Sequence, residues 1–150
     1  MPRIPPTYVP ESLSAADKKA QLADIIEARA LYKNGEFKAR TPLKSFVSTP
    51  SKHVARALAQ YGVASIAPSR ALTIASGCSI KGQREIVAKG EGAYYSSGSR
   101  PNQSAQSWGL ARLASSLTGG PASVVDFHIL ERECKPGSVA LKMAKAAKLK

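Results

Sequence analysis

The sequence predicts a mainly α protein: a small single helical domain with an irregular Gly/Ser loop, an extended N-terminal arm and a basic C-terminal helix. Three observations lead there. Apolar residues recur at helical spacing in several segments, with Ser, Thr or Asn ahead of them and Gly behind, the start and stop signals of helices. Gly and Pro interrupt the chain often enough to keep those segments short. The chain has 150 residues, 43% of them hydrophobic, so it can bury a core; with 6% aromatics that core must rest on Leu, Ile, Val and Ala.

Taken in order, Pro2, Pro5, Pro6 and Pro10 forbid helix and favour an extended arm over residues 1–13. The arm reads as a tail, or else as a strap that orders on a neighbouring subunit. A compact domain is expected over 14–134 and a Lys/Ala-rich tail over 135–150. Ser14 caps a helix running to about Lys33, with Asp17 completing an imperfect capping box. Leu22, Ile25, Ile26, Arg29 and Tyr32 supply its stripe, most of it core-facing, and Asn34-Gly35 stops it. Phe37 to Ser48 reads as a basic connector or short strand.

Thr49-Pro50 reads as N-cap and first residue of a helix lined by Val54, Leu58 and Tyr61 and closed by Gly62. Pro68 opens a short helix ending at Gly77. Ser79 opens a segment with Ile80, Ile86 and Val87, weakened by Gly82. A glycine-serine loop through Ser96-Ser97-Gly98-Ser99-Arg100-Pro101-Asn102 follows, then a helix capped by Asn102 or Ser104 and carrying Leu110, Leu113, Ala114 and Leu117. After the break at Gly119-Gly120-Pro121, residues 124–130 fit a strand by alternation and a helix by the cap at Ser123. From Ser138 the chain reads as a helix with Lys142, Lys145 and Lys148 spaced by three. Such a helix is either a solvated tail or an anchor on an acidic surface.

Twenty-two Lys and Arg against ten Asp and Glu give a formal charge of +12, which favours an anionic partner: nucleic acid, an acidic protein surface or lipid headgroups. The surplus is spread along the chain rather than blocked. No apolar signal region and no stretch near the ~20 residues of a membrane span are present. A cytosol-made, soluble protein is expected, with Cys78 and Cys134 as reduced thiols.

Catalytic signals are thin. His53, Cys78, His128 and Cys134 lack the short ligand spacing of zinc sites. Ser97, with Asp126 and His128 elsewhere in the chain, is the best nucleophile case, yet no Gly-x-Ser-x-Gly elbow is present and loop serines more often bond the local backbone. Gly90-Glu91-Gly92-Ala93 completes no phosphate-loop fingerprint. Arg100 stands at a helix start, with Arg84 and Lys89 earlier in sequence, and can meet a phosphate or a partner's carboxylate. Arg112 can do so too, or can fix the loop from within the fold. Tyr94, Tyr95 and Trp108 are stacking platforms or core aromatics.

The block Gly92-Ala93-Tyr94-Tyr95-Ser96-Ser97-Gly98-Ser99-Arg100-Pro101-Asn102-Gln103, continued by Ser107-Trp108-Gly109, Ala111-Arg112-Leu113-Ala114-Ser115 and Thr118-Gly119-Gly120, resembles the signature of an uncharacterised domain family of large DNA viruses of algae and amoebae. Leu43-Lys44-Ser45-Phe46, Ser51-Lys52-His53-Val54 and Tyr61-Gly62-Val63 resemble its N-terminal half, so the likeness covers about residues 40–130. The resemblance implies a virion protein, a minor capsid component beneath the major capsid lattice of a chlorovirus-like icosahedral particle, and it supplies no catalytic residues.

The expectation is therefore a non-enzymatic cement protein without cofactor or metal, made in the host cytoplasm and placed on the inner face of the capsid. Its partners would be the major capsid protein, other minor capsid proteins and the inner viral membrane, with packaged DNA as the alternative. Tyr94, Tyr95, Ser97, Arg100, Asn102, Lys44, Lys52, Arg56, Lys142, Lys145 and Lys148 are the candidate contact residues, joined by Lys38 and Arg40 in the basic connector.

Overall fold

Residues 3–150 are described by a computed structural model, and among them the regular structure is eight α-helices and one 3-10 turn, with no strand. The mainly α expectation holds. The chain forms two compact units: one takes residues up to Thr49 together with Glu91–Trp108, the other Pro50–Gly90 with Gly109–Lys150. Pro2 lies outside the described residues; neither the rest of the arm nor the tail stands apart from these units.

In the first unit, α1 spans Ala15–Tyr32, and the Ser14 hydroxyl accepts from the Asp17 amide at 3.2 Å as its N-cap. The Asp17 carboxylate accepts from the Ser45 hydroxyl (2.5 Å) and amide (3.0 Å), which ties the cap to the connector and holds its pKa below the ordinary value. The buried stripe of α1 is Gln21, Ile25, Ala28 and Arg29. Leu22, Ile26 and Tyr32, expected inside, are exposed. Leu22 and Ile26 sit one residue, about 100°, round from Gln21 and Ile25. The interior accepts the polar pair because Gln21 donates to the Tyr8 and Ser99 carbonyls and Arg29 donates to the Ser97 carbonyl.

The arm is not wholly extended. Pro6–Tyr8 forms a 3-10 turn, and Tyr8 meets Trp108 edge-on at 5.7 Å between ring centroids. The arm is anchored within its own unit by Tyr8 and the buried Leu13. The connector 36–49 holds no strand; its buried Leu43 is clamped by Asn102.

The second unit contains α2 (Lys52–Tyr61), α3 (Arg70–Ser76), the start of α4 (Ile80–Ser96), most of α5 (Ala105–Leu117), α6 (Pro121–Val125), α7 (Phe127–Glu133) and α8 (Val139–Lys148). The cap of α2 is Ser51, whose hydroxyl accepts from the Val54 amide at 3.3 Å; Thr49-Pro50 lies just ahead of it. Gly62 and Gly77 close α2 and α3 in left-handed conformations. Leu72, Ile86, Leu113, Leu117, Ile129 and Leu130 are the large members of the core.

Residues 124–130 resolve as the end of α6 and most of α7, with Asp126 at the junction. The C-terminal segment is not a solvated tail: Ala140, Leu141 and Ala144 of α8 are buried in the core cluster, while Lys142, Lys145 and Lys148 face out. Cys78 and Cys134 are joined in a buried disulfide rather than free. The Ser79 amide donating to the Glu133 carbonyl and the Lys135 amide donating to the Gly77 carbonyl, both at 2.9 Å, hold the two chain segments side by side there.

The largest departure from expectation is α4, which runs unbroken to Ser96 through Gly82, Gly90 and Gly92. Two of these glycines allow close approach. A Cβ on Gly90 would come 2.6 Å from the Gly109 Cα of α5, and one on Gly82 would come 2.5 Å from the Glu133 Cβ of α7. We expect Gly90→Ala to cost about 1–3 kcal/mol through overpacking. Gly92→Ala, where the new methyl meets only the Tyr32 hydroxyl at 3.8 Å, should instead stabilise by about 0.5–1 kcal/mol. Urea denaturation of the two variants checks the opposite signs.

The disulfide spans a sequence separation of 56 residues. Replacing both cysteines by Ser should therefore lower stability by about 4 kcal/mol in the chain-entropy account. Denaturation of the oxidised, reduced and Ser/Ser forms measures this, and equal stability of all three would exclude a contribution from the bridge.

Candidate functional site

Charge is divided unequally between the units. The second carries thirteen Lys and Arg against four Asp and Glu, a net of +9, while the first nets +3. Three of the four carboxylates in the second unit are consumed internally. Asp126, fully buried, accepts from Arg112 Nε at 2.8 Å and Nη2 at 2.7 Å and from the Ser116 hydroxyl at 3.3 Å. This two-point pairing raises the Arg112 pKa further. Arg132 on α7 pairs with Glu85 on α4 and with Glu133. The hydrogen bond from Arg132, helped by that from Ser79, lowers the Glu133 pKa.

Eleven cations of this unit remain: Lys52 and Arg56 on α2, Arg70 on α3, Lys81, Arg84 and Lys89 on α4, and Lys135, Lys142, Lys145, Lys148 and Lys150 on or beside α8. All are exposed, and none forms an ion pair among the described residues. Gln60 on α2 donates to the Met143 sulfur on α8 at 2.9 Å, so these helices are neighbours. Lys52 and Arg56 lie two turns and one turn before Gln60, and Lys142 adjoins Met143. The expected contact residues Lys52, Arg56, Lys142 and Lys145 are therefore brought onto two adjoining helices. Lys148 turns aside, its ammonium 4.2 Å above the Phe127 ring.

The expected contacts in the first unit fare differently. Tyr94 is 1% exposed; its hydroxyl accepts from the Arg40 amide at 3.0 Å, and its ring meets Tyr95 edge-on. Asn102, in left-handed backbone geometry (φ 59°), accepts from the Leu43 amide at 2.7 Å and donates to the Leu43 and Phe46 carbonyls. Both side chains are spent on folding the connector, so neither is available to a partner. Tyr95 is half-buried and lies 5.1 Å from the exposed Phe37 ring. Ser97, Arg100 and Lys44 are exposed. Of the connector's cations, Lys38 pairs with Asp24 at 3.7 Å and Arg40 is buried, so neither offers the free surface charge expected of it.

Asp126 is committed to Arg112 and cannot orient His128, whose Nε2 instead lies 3.4 Å from Lys89 Nζ. The Ser97 hydroxyl lies 3.5 Å from that of Ser96. The disulfide removes both cysteines as thiolate ligands. Among the described residues no cluster of three or more His, Cys, Asp or Glu side chains is placed to hold a metal ion, and no helix is long and apolar enough to cross a membrane.

No family model, curated protein or solved structure matches the chain. The site must therefore be read from its own chemistry. Sequence reasoning registered the +12 surplus but could not see that Asp126 and Glu85 pair with arginines of other helices, because ion pairing across helices leaves no local signal. It also missed the buried Arg40, whose aromatic partner lies 54 residues away.

Proposed function

We propose that this chain is a non-enzymatic structural protein of a large icosahedral DNA virus that docks through its second unit on acidic undersides of capsomers. The observation carrying this reading is the set of eleven exposed cations without an ion-pair partner, five of them on the adjoining helices α2 and α8. Each is a long side chain able to find a carboxylate across an interface, and such pairs act chiefly on association rate and orientation. The viral setting rests on the resemblance of residues 40–130 described above.

The same cations suit duplex DNA, and packaged DNA is the second reading. The aromatic side chains favour the protein surface over single strands. Tyr61 is buried with its hydroxyl bonded to the Leu117 carbonyl, and Phe127 is covered by Lys148, which leaves the second unit without a free stacking platform.

Reversing Lys52, Arg56, Lys142 and Lys145 to Glu should abolish co-sedimentation with purified capsomers and incorporation into particles, with helix content by circular dichroism unchanged. Normal incorporation of the reversed chain would overturn the electrostatic docking. Tight, steeply salt-dependent binding to duplex DNA with no capsomer binding would establish the second reading instead.

A further inference from the structure

We propose that the first unit holds a site for one small oxyanion, a phosphate or carboxylate group, centred on Arg40. Arg40 is 8% exposed. Its amide donates to the Tyr94 hydroxyl, its Nη2 donates to the Tyr94 carbonyl, and its guanidinium carbon stands 3.9 Å over the Tyr94 ring. Those contacts leave Nε and Nη1 buried without a hydrogen-bond partner. Three N–H groups of a permanently charged guanidinium are thus sealed from water and unmatched. Lys or His in this position could shed its proton; arginine cannot, so the desolvation cost persists until an anion meets it.

The chain supplies no such anion among the described residues. Asp24 accepts from the Thr41 amide and pairs with Lys38, Asp17 serves Ser45, and Glu11 pairs with Lys18. Arg40 itself has no ion pair. Other positive charge converges instead. Arg29 is buried, its Nε donating to the Ser97 carbonyl at 2.8 Å, and Arg100 stands exposed three residues further along the same loop. Tyr8 senses all three: burial raises its pKa, and Arg100, Arg40 and Arg29 each pull it back, with no acidic group acting on it. The buried Arg40 guanidinium, with Nε and Nη1 unmatched, is suited to an oxyanion acceptor, and Arg29 and Arg100 add positive charge felt at Tyr8. The packed surroundings restrict the occupant to a small group.

The test is thermal unfolding and calorimetric titration of the full chain with sodium phosphate, and separately with sodium acetate, against sodium chloride at matched ionic strength. A saturable rise in Tm with either oxyanion, beyond that with chloride, is expected, and the responding anion tells a phosphate source from a carboxylate one. Arg40→Gln should lose the response. Should that variant fail to fold, Arg100→Gln, altered at an exposed position, should fold and bind about tenfold more weakly. The chain with Lys142→Glu and Lys145→Glu should respond like wild type, which separates this site from the cationic surface of the second unit. Equal responses to chloride and to both oxyanions, or an unchanged response in Arg100→Gln, would overturn the proposal.

Discussion

A shortage of free carboxylates governs the second unit. At the junction of α6 and α7 Asp126 is paired with the guanidinium of Arg112 on α5, and Arg132 on α7 reaches Glu85 on α4 as well as its neighbour Glu133. The Asp126 pair is buried and doubly hydrogen-bonded, the geometry in which losing one partner is costly because a charge is left desolvated. These contacts help fix the helices round the Leu113–Leu117–Ile129 core. Asp126 is buried with Arg112 and Arg132 engages Glu85 and Glu133, so of the unit's thirteen cations eleven form no ion pair.

The first unit solves a different problem. It has few large apolar side chains, and its interior is held by polar groups that reach backbone across long sequence separations: Gln21 to the Ser99 carbonyl, Arg29 to the Ser97 carbonyl, Arg40 to Tyr94, and Asn102 to both sides of the Leu43 peptide. A polar interior of this kind specifies one arrangement closely, since each misplaced group is an unmet hydrogen bond. It also explains why the Ser96–Asn102 segment is rich in residues with unusual backbone freedom. Gly98, at φ 128°, brings the backbone against Tyr8 and Ile25, where a side chain would collide.

Helix identity was legible because caps are local. Ser14, Ser104 and Ser138 each announce a helix that the structure contains, and Gly62 and Gly77 end two others, although the second of those opens at Ser69 rather than Pro68. What sequence periodicity could not convey was which glycines break helices and which let them touch. Gly90 and Gly92 read as loop residues, yet Gly90 lies mid-helix against Gly109. Nor could it say that Leu22 and Ile26 would yield the interior to Gln21 and Arg29, since the Ser99 and Ser97 carbonyls that reward those polar groups come from more than sixty residues away. For the candidate site, Lys52, Arg56, Lys142 and Lys145 were legible as charge, but Tyr94 and Asn102 looked available only because their partners in the connector were invisible.

The account stands on the unpaired cations of the second unit meeting an anionic surface. Differential lysine acylation, read residue by residue by mass spectrometry in the free chain and in purified particles, tests that most directly. The account predicts high reactivity of Lys52, Lys142 and Lys145 in the free chain and strong protection of all three in particles, with the ion-paired Lys18 and Lys38 little changed between the two. Equal reactivity of Lys52, Lys142 and Lys145 in both states would contradict it.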